Sequence, residues 1–573
     1  MRGTAQPLFA AAVLLLIVSP AQASSQLSSP RFAPGSGIEM KITNFFENLP
    51  PRGYLPIRVE VKNGSDASRE WDFQALHAMG ASRTMTYVTK LAMPGNSERT
   101  FDLLVPLVQQ TNNTSRFSNI TFVVSGYGVS SGTTSEYSSG GSGNPTPYLG
   151  MGRALALRHW SPLKDLISKE KSRELTGTQL EPPLLPDDWK GWACFDAVVF
   201  SAQEWRSLAA STRQALLDWV AQGGRLGLFH EPSGLPSDLP KSGPLGSGSI
   251  HLVTAEEEAT TEKISRFLHD SEKSSQAHLS AQYTWDWAAA DSVGKSTPPK
   301  TFIILFVLLF AAMIGPVNLL LFAPSGHRHR LFWTTPLISL TASLLMVAGI
   351  ILSEGFGGEG MRVGLLWLQP EKRRAVLWQE QVSRSGALLT SRFSTSEPCF
   401  LSPLTLRQSS SNPIFFGERA AFGYSSDGKG VWSGDWFRSR STQAQALVSV
   451  SSTRERIEIE VSEEGAPTAT SSFASPLNGF WYLGPDGDFW SAPAIDPGEK
   501  VALETATEAD FKIWRDEQLA SAGPLVSARA LALIESASHG TFFSEFPKSA
   551  GIATLDSIQW PHSSGLLIGQ TQL

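Results

Sequence analysis

Residues 302–323 and 331–352 contain no Asp, Glu, Lys or Arg, and each run is about long enough to cross a hydrocarbon core of roughly 30 Å. A charge at mid-span costs about 2.5–3.5 kcal/mol, so its absence from two successive stretches is informative. The competing reading, two buried helices of a soluble domain, meets the objection that core helices are usually shorter and rarely apolar on every face. The intervening turn, Pro324-Ser325-Gly326-His327-Arg328-His329-Arg330, carries two arginines and two histidines, as the positive-inside rule expects of a cytoplasmic loop. Because Lys295, Lys300 and Arg362 flank the other side, orientation needs a second signal. The expected element is a two-helix transmembrane hairpin over 301–353, with membrane lipid as its partner.

Within the spans, Ala311 and Gly315 lie four residues apart in the first run, and Ser339 and Ser343 repeat that spacing in the second. Small residues at this interval let helix backbones approach closely in lipid, which predicts that the two faces meet. Gly315-Pro316-Val317-Asn318 interrupts the first run near its inner end. A packing kink in which Asn318 finds a partner on the neighbouring helix accounts for it more simply than a transport role.

The second orientation signal is at the amino terminus. Arg2, an apolar run from Leu8 to Val18 and Pro20-Ala21-Gln22-Ala23 have the pattern of a secretory signal over residues 1–23. With cleavage after Ala23, or with an uncleaved anchor, the large segments on both sides of the hairpin face the outer compartment.

Residues 36–129 read as short strands. Ile57, Val59 and Val61 interleave with Arg58, Glu60 and Lys62, and Asn63-Gly64 reads as a hairpin turn. Further runs at 85–91, 100–105 and 120–124 have the spacing of an immunoglobulin-like sandwich. Through Pro51-Arg52-Gly53-Tyr54-Leu55-Pro56 and Pro94-Gly95 the stretch resembles bacterial periplasmic sandwich modules that precede membrane anchors. Residues 130–147 are Gly/Ser-rich and predict a flexible linker.

From 148 to 270 the pattern alternates between helix and strand. Ala197-Val198-Val199-Phe200 is an unbroken apolar run suited to a parallel sheet buried on both faces. Ser211 is placed to cap a helix with apolar face Ala215, Leu216, Trp219 and Val220, stopping at Gly223-Gly224 and feeding Arg225-Leu226-Gly227-Leu228-Phe229. This predicts a flavodoxin/Rossmann-like α/β domain. Phe195 to Phe200, Trp205 and Leu217 to Leu226 make it similar to class I glutamine amidotransferase-like domains of bacterial membrane proteins. Enzymes of that family need a cysteine on a Gly-x-Cys-x-Gly elbow after a strand and a downstream histidine. Cys194 instead precedes its strand, between Ala193 and Phe195, which implies a buried cysteine in a non-catalytic relative. His230 and Glu231 follow a strand at the carboxyl edge, where ligands collect in such sheets, and are the one speculative ligand edge; a plain polar loop pair is the alternative.

A connector over 271–300 carries Trp285 and Trp287, suited to an interfacial aromatic belt or to packing in the outer domain. Residues 361–573 read as a β-rich outer domain, with strands at 362–368, 375–378, 456–461, 479–483 and 501–503. Asp427-Gly428 and Asp486-Gly487 serve as turns, and 511–520 and 528–536 as short helices. Four motif matches are set aside as turns. Gly294-Lys295-Ser296 lacks a leading strand, the glycines of 355–360 follow a helix and precede a strand, 128–132 opens the Gly/Ser linker, and 423–429 continues with Gly430 where a hydroxyl is required.

The net charge of −6 carries no signature of nucleic-acid binding, and the two cysteines, Cys194 and Cys399, have no metal-ligand spacing. No catalytic residue, cofactor or metal is expected. The fold class is a multidomain α+β membrane protein. Around Gly315 to Asn318 the whole architecture resembles bacterial two-span membrane proteins with a periplasmic β-sandwich and an amidotransferase-like domain. The resemblance implies a non-catalytic protein of the cytoplasmic membrane, displaying periplasmic modules to other envelope proteins beside a chaperone-like ATPase system. The alternative is a periplasmic hydrolase with a site near His230 and Glu231; a transporter subunit is disfavoured because the spans offer no buried charge. Nothing in the sequence sets an oligomeric state.

Overall fold

The alternating run around Ile57 forms the strand Tyr54–Asn63, whose Ile57, Val59 and Val61 are fully buried. It pairs antiparallel with Ile38–Asn44 on one side and Ser97–Pro106 on the other. The computed structural model describes residues 26–27, 29–79, 83–108, 117–139, 144–171, 173–182, 184–232, 239–256, 259–271, 283–284, 286–293, 300–404, 406–407, 419–461 and 466–571. The signal-like segment, Trp285 and Gly294-Lys295-Ser296 lie outside the described residues. Over the described residues the chain is a mixed α/β multidomain protein with several β-sheets and two long apolar helices.

Facing the first sheet is a second, in the order Thr133–Ser139, Phe117–Gly126, Arg69–Met79, Arg83–Met93, Ala420–Ser425, Val431–Gly434. Trp71, Phe73, Tyr87 and Phe122 fill the space between them. Three features differ from the sequence reading. Asn63-Gly64 does not close a hairpin but carries the chain from one sheet to the other; Asn63 Nδ2 donates to Ala67 O (3.0 Å) and Pro94 O (2.8 Å), pinning that crossover. The Gly/Ser stretch contains a strand, Thr133–Ser139, paired antiparallel with Phe117–Gly126, because its Thr and Tyr residues favour an extended edge. Ala420–Ser425, from the other side of the apolar helices, pairs parallel with Arg83–Met93, so the carboxyl-terminal region is not a separate β unit.

The α/β unit has parallel strands in the order Gly177–Leu180, Leu149–Gly152, Ala197–Ser201, Arg225–His230, Gly248–Thr254, with Gly243–Leu245 antiparallel at the edge. The helix Ala210–Ala221 starts one residue before Ser211, and no side chain caps it. Beyond the apolar helices, a nine-stranded sheet runs from Cys399–Leu404 at one edge to Glu504–Ala506 at the other. Glu508–Leu519 and Pro524–Glu535 are its helices. Trp287 is buried in this body, its Nε1 donating to Ser521 O at 2.8 Å.

The two apolar helices, Ile303–Phe322 and Arg328–Gly349, are long and apolar enough to cross a membrane, and almost none of their residues is covered by protein. At Met313 the first changes from α to a π-helical segment, Met313–Phe322, containing Pro316. Proline has no N–H for the α ladder, and a wider turn accommodates that loss. Asn318 is fully buried, and its Nδ2 donates to Thr335 Oγ1 of the second helix at 3.0 Å. The small-residue faces do not meet. A Cβ built on Gly315 finds no atom within 4 Å, and Ala311 and Ser343 are exposed while Ser339 is only half-buried. The facing groove is instead lined by larger side chains, among them Phe306, Phe310, Met313, Ile338 and Leu345. The Asn318–Thr335 bond, not the small-residue spacing, marks the face that the first helix turns toward the second.

His77 lies within the second sheet, buried, its Nδ1 accepting from Val108 N at 3.0 Å, which leaves the proton on Nε2. Burial lowers its pKa to about 4 from the ordinary 6.5. A depressed folded-state value contributes stability that is complete above pH 6.5 and is lost as pH falls through about 4; the shift corresponds to about 3 kcal/mol. Protease resistance of the strand Arg69–Met79 should therefore fall across this window, and His77→Asn, which keeps an acceptor but cannot titrate, should flatten the profile.

Candidate functional site

In an open parallel sheet, ligands collect at the carboxyl edge where strand order reverses. Here that crevice lies between the ends of Leu149–Gly152 and Ala197–Ser201. Leu149–Gly152 runs directly into the helix Arg153–Lys171, so unpaired helix amides open onto the crevice, an arrangement that attracts anions.

The anion present is the chain's own. Glu204 is buried, with Oε1 accepting from Ala154 N (2.7 Å) and Oε2 accepting from Ser201 N (3.0 Å) and Ser201 Oγ (2.9 Å). Ser201 Oγ in turn accepts from Glu204 N at 3.2 Å, closing a capping box around the helix Ala202–Ser207. A Cβ at Gly152 would lie 2.5 Å from Glu204 Oε2, so the carboxylate fits there only because residue 152 has no side chain. Arg153 is paired with Glu181. Ser201-x-x-Glu204 is a readable capping signature; its place at the strand reversal was the part spacing did not reveal.

His230 ends its strand one position along the same edge. It is buried, its Nδ1 donates to the backbone carbonyl of Glu231 (2.9 Å), and its own carbonyl accepts from Ala255 N (2.7 Å). Glu231 points to solvent, and residues 233–238 of that loop are outside the described residues. The edge places His230 and Glu231 in sequence without bringing a third chemical group to them among the described residues. No cluster of three or more metal-ligating side chains occurs among the described residues.

Cys194 lies at the opposite, amino edge. It is fully buried, and burial pushes its thiol well above the usual range, which removes thiolate character. Residues 45–53 of the amino-terminal sandwich dock here: Phe46 packs edge-on against Phe195 (5.0 Å), Glu47 N donates to Thr178 Oγ1 (3.0 Å), and Asn48 Nδ2 donates to Gly177 O (3.0 Å). Arg52 pairs with Asp196, whose other oxygen accepts from Tyr148 N (2.7 Å). Gly53 has φ +78°, and a Cβ there would lie 2.8 Å from Cys194 N. The Pro51 to Pro56 motif is thus a junction between two units, and Cys194 is part of its floor.

A second buried carboxylate, Glu380, caps another helix. Its oxygens accept from Gly523 N (2.6 Å), Leu525 N (2.9 Å), Val526 N (3.3 Å) and Tyr283 OH at the start of Pro524–Glu535. Burial raises its pKa, against the pull of these donors. Tyr283 belongs to the segment that precedes the first apolar helix, so this bond ties the connector to the nine-stranded sheet.

No protein-family model and no curated protein matches this sequence. Solved structures with partial similarity include a cycloisomaltooligosaccharide glucanotransferase from Paenibacillus sp. (11% identity, 33% of this chain and 27% of that one, TM-score 0.16). They also include Bacteroides uniformis beta-glucuronidase 2 (11% identity, 36% and 22%, TM-score 0.14) and a beta-glucuronidase from glycoside hydrolase family 2 (8% identity, 91% and 61%, TM-score 0.17). The chain spans 27% and 22% of the length of the first two. Superpositions at these scores carry no argument about fold or activity.

If Glu204 holds the crevice closed, Glu204→Ala should speed hydrogen exchange at Ala154 and Ser201 by about tenfold, the equivalent of one lost buried acceptor. Exchange mass spectrometry over 149–171 and 197–207 reads this; unchanged rates would mean that water or another group satisfies those amides.

Proposed function

We propose that the chain is a non-catalytic integral membrane protein of the bacterial envelope, crossing the cytoplasmic membrane twice and displaying a joined set of outer-face modules to other envelope proteins. In this reading the amino-terminal pair of sheets is an immunoglobulin-like sandwich and the parallel sheet is a flavodoxin/Rossmann-like, amidotransferase-related unit. The observation that carries the proposal is the pairing of Ala420–Ser425 with Arg83–Met93. Strands from both sides of the apolar helices share a sheet, which supports reading the flanking modules as lying on one side of whatever those helices cross. Apolar helices left uncovered by protein need lipid, since exposing Leu or Phe to water costs about 1.5–3 kcal/mol per side chain.

The non-catalytic half of the reading is supported by Glu204 in the crevice and by Cys194 sealed beneath Gly53. A display role follows from what remains: broad outer surfaces on a body anchored by a two-helix stalk, with lipid and envelope proteins as partners.

Alkaline carbonate washing should leave the protein in the membrane fraction. In intact spheroplasts, a membrane-impermeant thiol reagent should label cysteine placed at the exposed Leu157 and Ile513 but not at Arg328. Labelling of Arg328 together with protection of either outer position would overturn the topology, and in-cell cross-linking that finds no envelope protein beside the outer positions would overturn the display role.

A further inference from the structure

Between the α/β unit and the helix Pro524–Glu535 lies a cavity of about 570 Å³, within the range of small-molecule sites and at the kind of interface where they occur. One wall is the amino edge of the parallel sheet: Gly223, Arg225, Pro244 and the turn Gly246-Ser247-Gly248-Ser249. The other wall is the helix face Ala528, Ala532 and Ser536, whose short side chains at four-residue intervals leave the space unfilled.

Arg529 projects from that helix into the cavity and is only 2% exposed. Its Nε has no hydrogen-bond partner among the described residues, and no ion pair to it occurs there. The buried carboxylate at the start of this helix, Glu380, is already engaged by Tyr283 and three backbone amides. Burial lowers the Arg529 pKa to about 9, so the guanidinium keeps its charge at neutral pH. Across the cavity Arg225 stacks over Phe267 (5.1 Å) and contacts His251 Nε2 through a terminal nitrogen (3.3 Å), while its Nε also lacks a partner. Asp270 and Glu535 stand exposed at the rim; Asp270 acts electrostatically on Arg225, and no ion pair joins either carboxylate to Arg529 among the described residues. A buried charge without a counter-charge is costly, and a planar guanidinium is matched by a two-oxygen anion.

We propose that this cavity binds a small oxyanion-bearing molecule, its phosphate or carboxylate held by Arg529 with help from Arg225, and the remainder lying along Ala528, Ala532 and Pro244. The site is separate from the filled crevice at the carboxyl edge and does not depend on the membrane reading. Because it is walled by two units, the ligand would also clamp them together.

The test is calorimetry and thermal unfolding of the full chain in detergent, with inorganic phosphate, succinate and chloride as separate titrants. Saturable binding of phosphate or succinate, with a raised unfolding temperature and no such effect of chloride, is expected; whichever anion binds identifies the headgroup. Arg529→Met should weaken binding about tenfold or more, the loss of one charge-assisted contact. Should that variant fail to fold, Ala532→Phe fills the cavity while leaving both arginines and should also abolish binding. Binding of neither anion, or undiminished binding in Ala532→Phe, would overturn the proposal.

Discussion

Main-chain pairing between Arg83–Met93 and Ala420–Ser425 is the constraint on which the rest of the molecule depends. The chain leaves the amino-terminal sandwich, builds the α/β unit, passes through both apolar helices and returns to lie beside a strand it made long before. Side chains secure the return: Tyr87 OH meets Ser426 Oγ at 2.8 Å, and Asp427 Oδ1 accepts from Lys90 N at 2.9 Å. The pairing covers what would otherwise be an open edge of the sandwich, a site prone to unwanted strand addition. It also makes a parallel, highly non-local contact, which is slow to form and places the sandwich's completion after synthesis of the helices.

The molecule meets three places where its architecture attracts an anion and resolves two of them internally. Glu204 occupies the helix start at the strand reversal, and Glu380 the start of Pro524–Glu535. In both, backbone amides that would otherwise be orphaned meet a side-chain carboxylate, and no room remains for a ligand. One turn further along the second helix, Arg529 faces a cavity without such a partner. The same helix is therefore satisfied at its amino end and left with an unbalanced charge on its flank.

How much of this was legible in the sequence depends on whether the deciding interaction is local. Alternation at Ile57 to Lys62, the apolar run Ala197 to Phe200, the Gly223-Gly224 stop and the turns at Asp427-Gly428 and Asp486-Gly487 are local signals, and each corresponds to an element boundary or type. The partner of Ala420–Ser425 is not local: alternation says strand but never which sheet. Asn63-Gly64 has the letters of a hairpin, yet tertiary packing uses it as a crossover. Spacing puts Gly315 and Ser343 on an expected interface, but on a helix apolar all round a contact face and an uncovered face carry the same letters, and the face that meets the second helix is the one carrying Asn318, bonded to Thr335. Arg529 falls inside the expected helix 528–536, but no local letter marks it, because the cavity it faces arises only when that helix packs against the α/β unit; the amides capped by Glu380 lie in the first turn, outside the expected helix.

The central claim is that strands from either side of the apolar helices meet in one sheet, and it is tested most directly by a cross-link at the seam. Thr84 and Ala421 are register partners on neighbouring parallel strands, at a spacing of about 5 Å that a disulfide can bridge. With cysteine at both positions in the full chain isolated under oxidising conditions, proteolysis within the turn between the apolar helices should yield two fragments that remain joined until reduced. Fragments that separate without reductant, while both cysteines remain open to alkylation, would contradict the shared sheet and remove the support for the proposed topology.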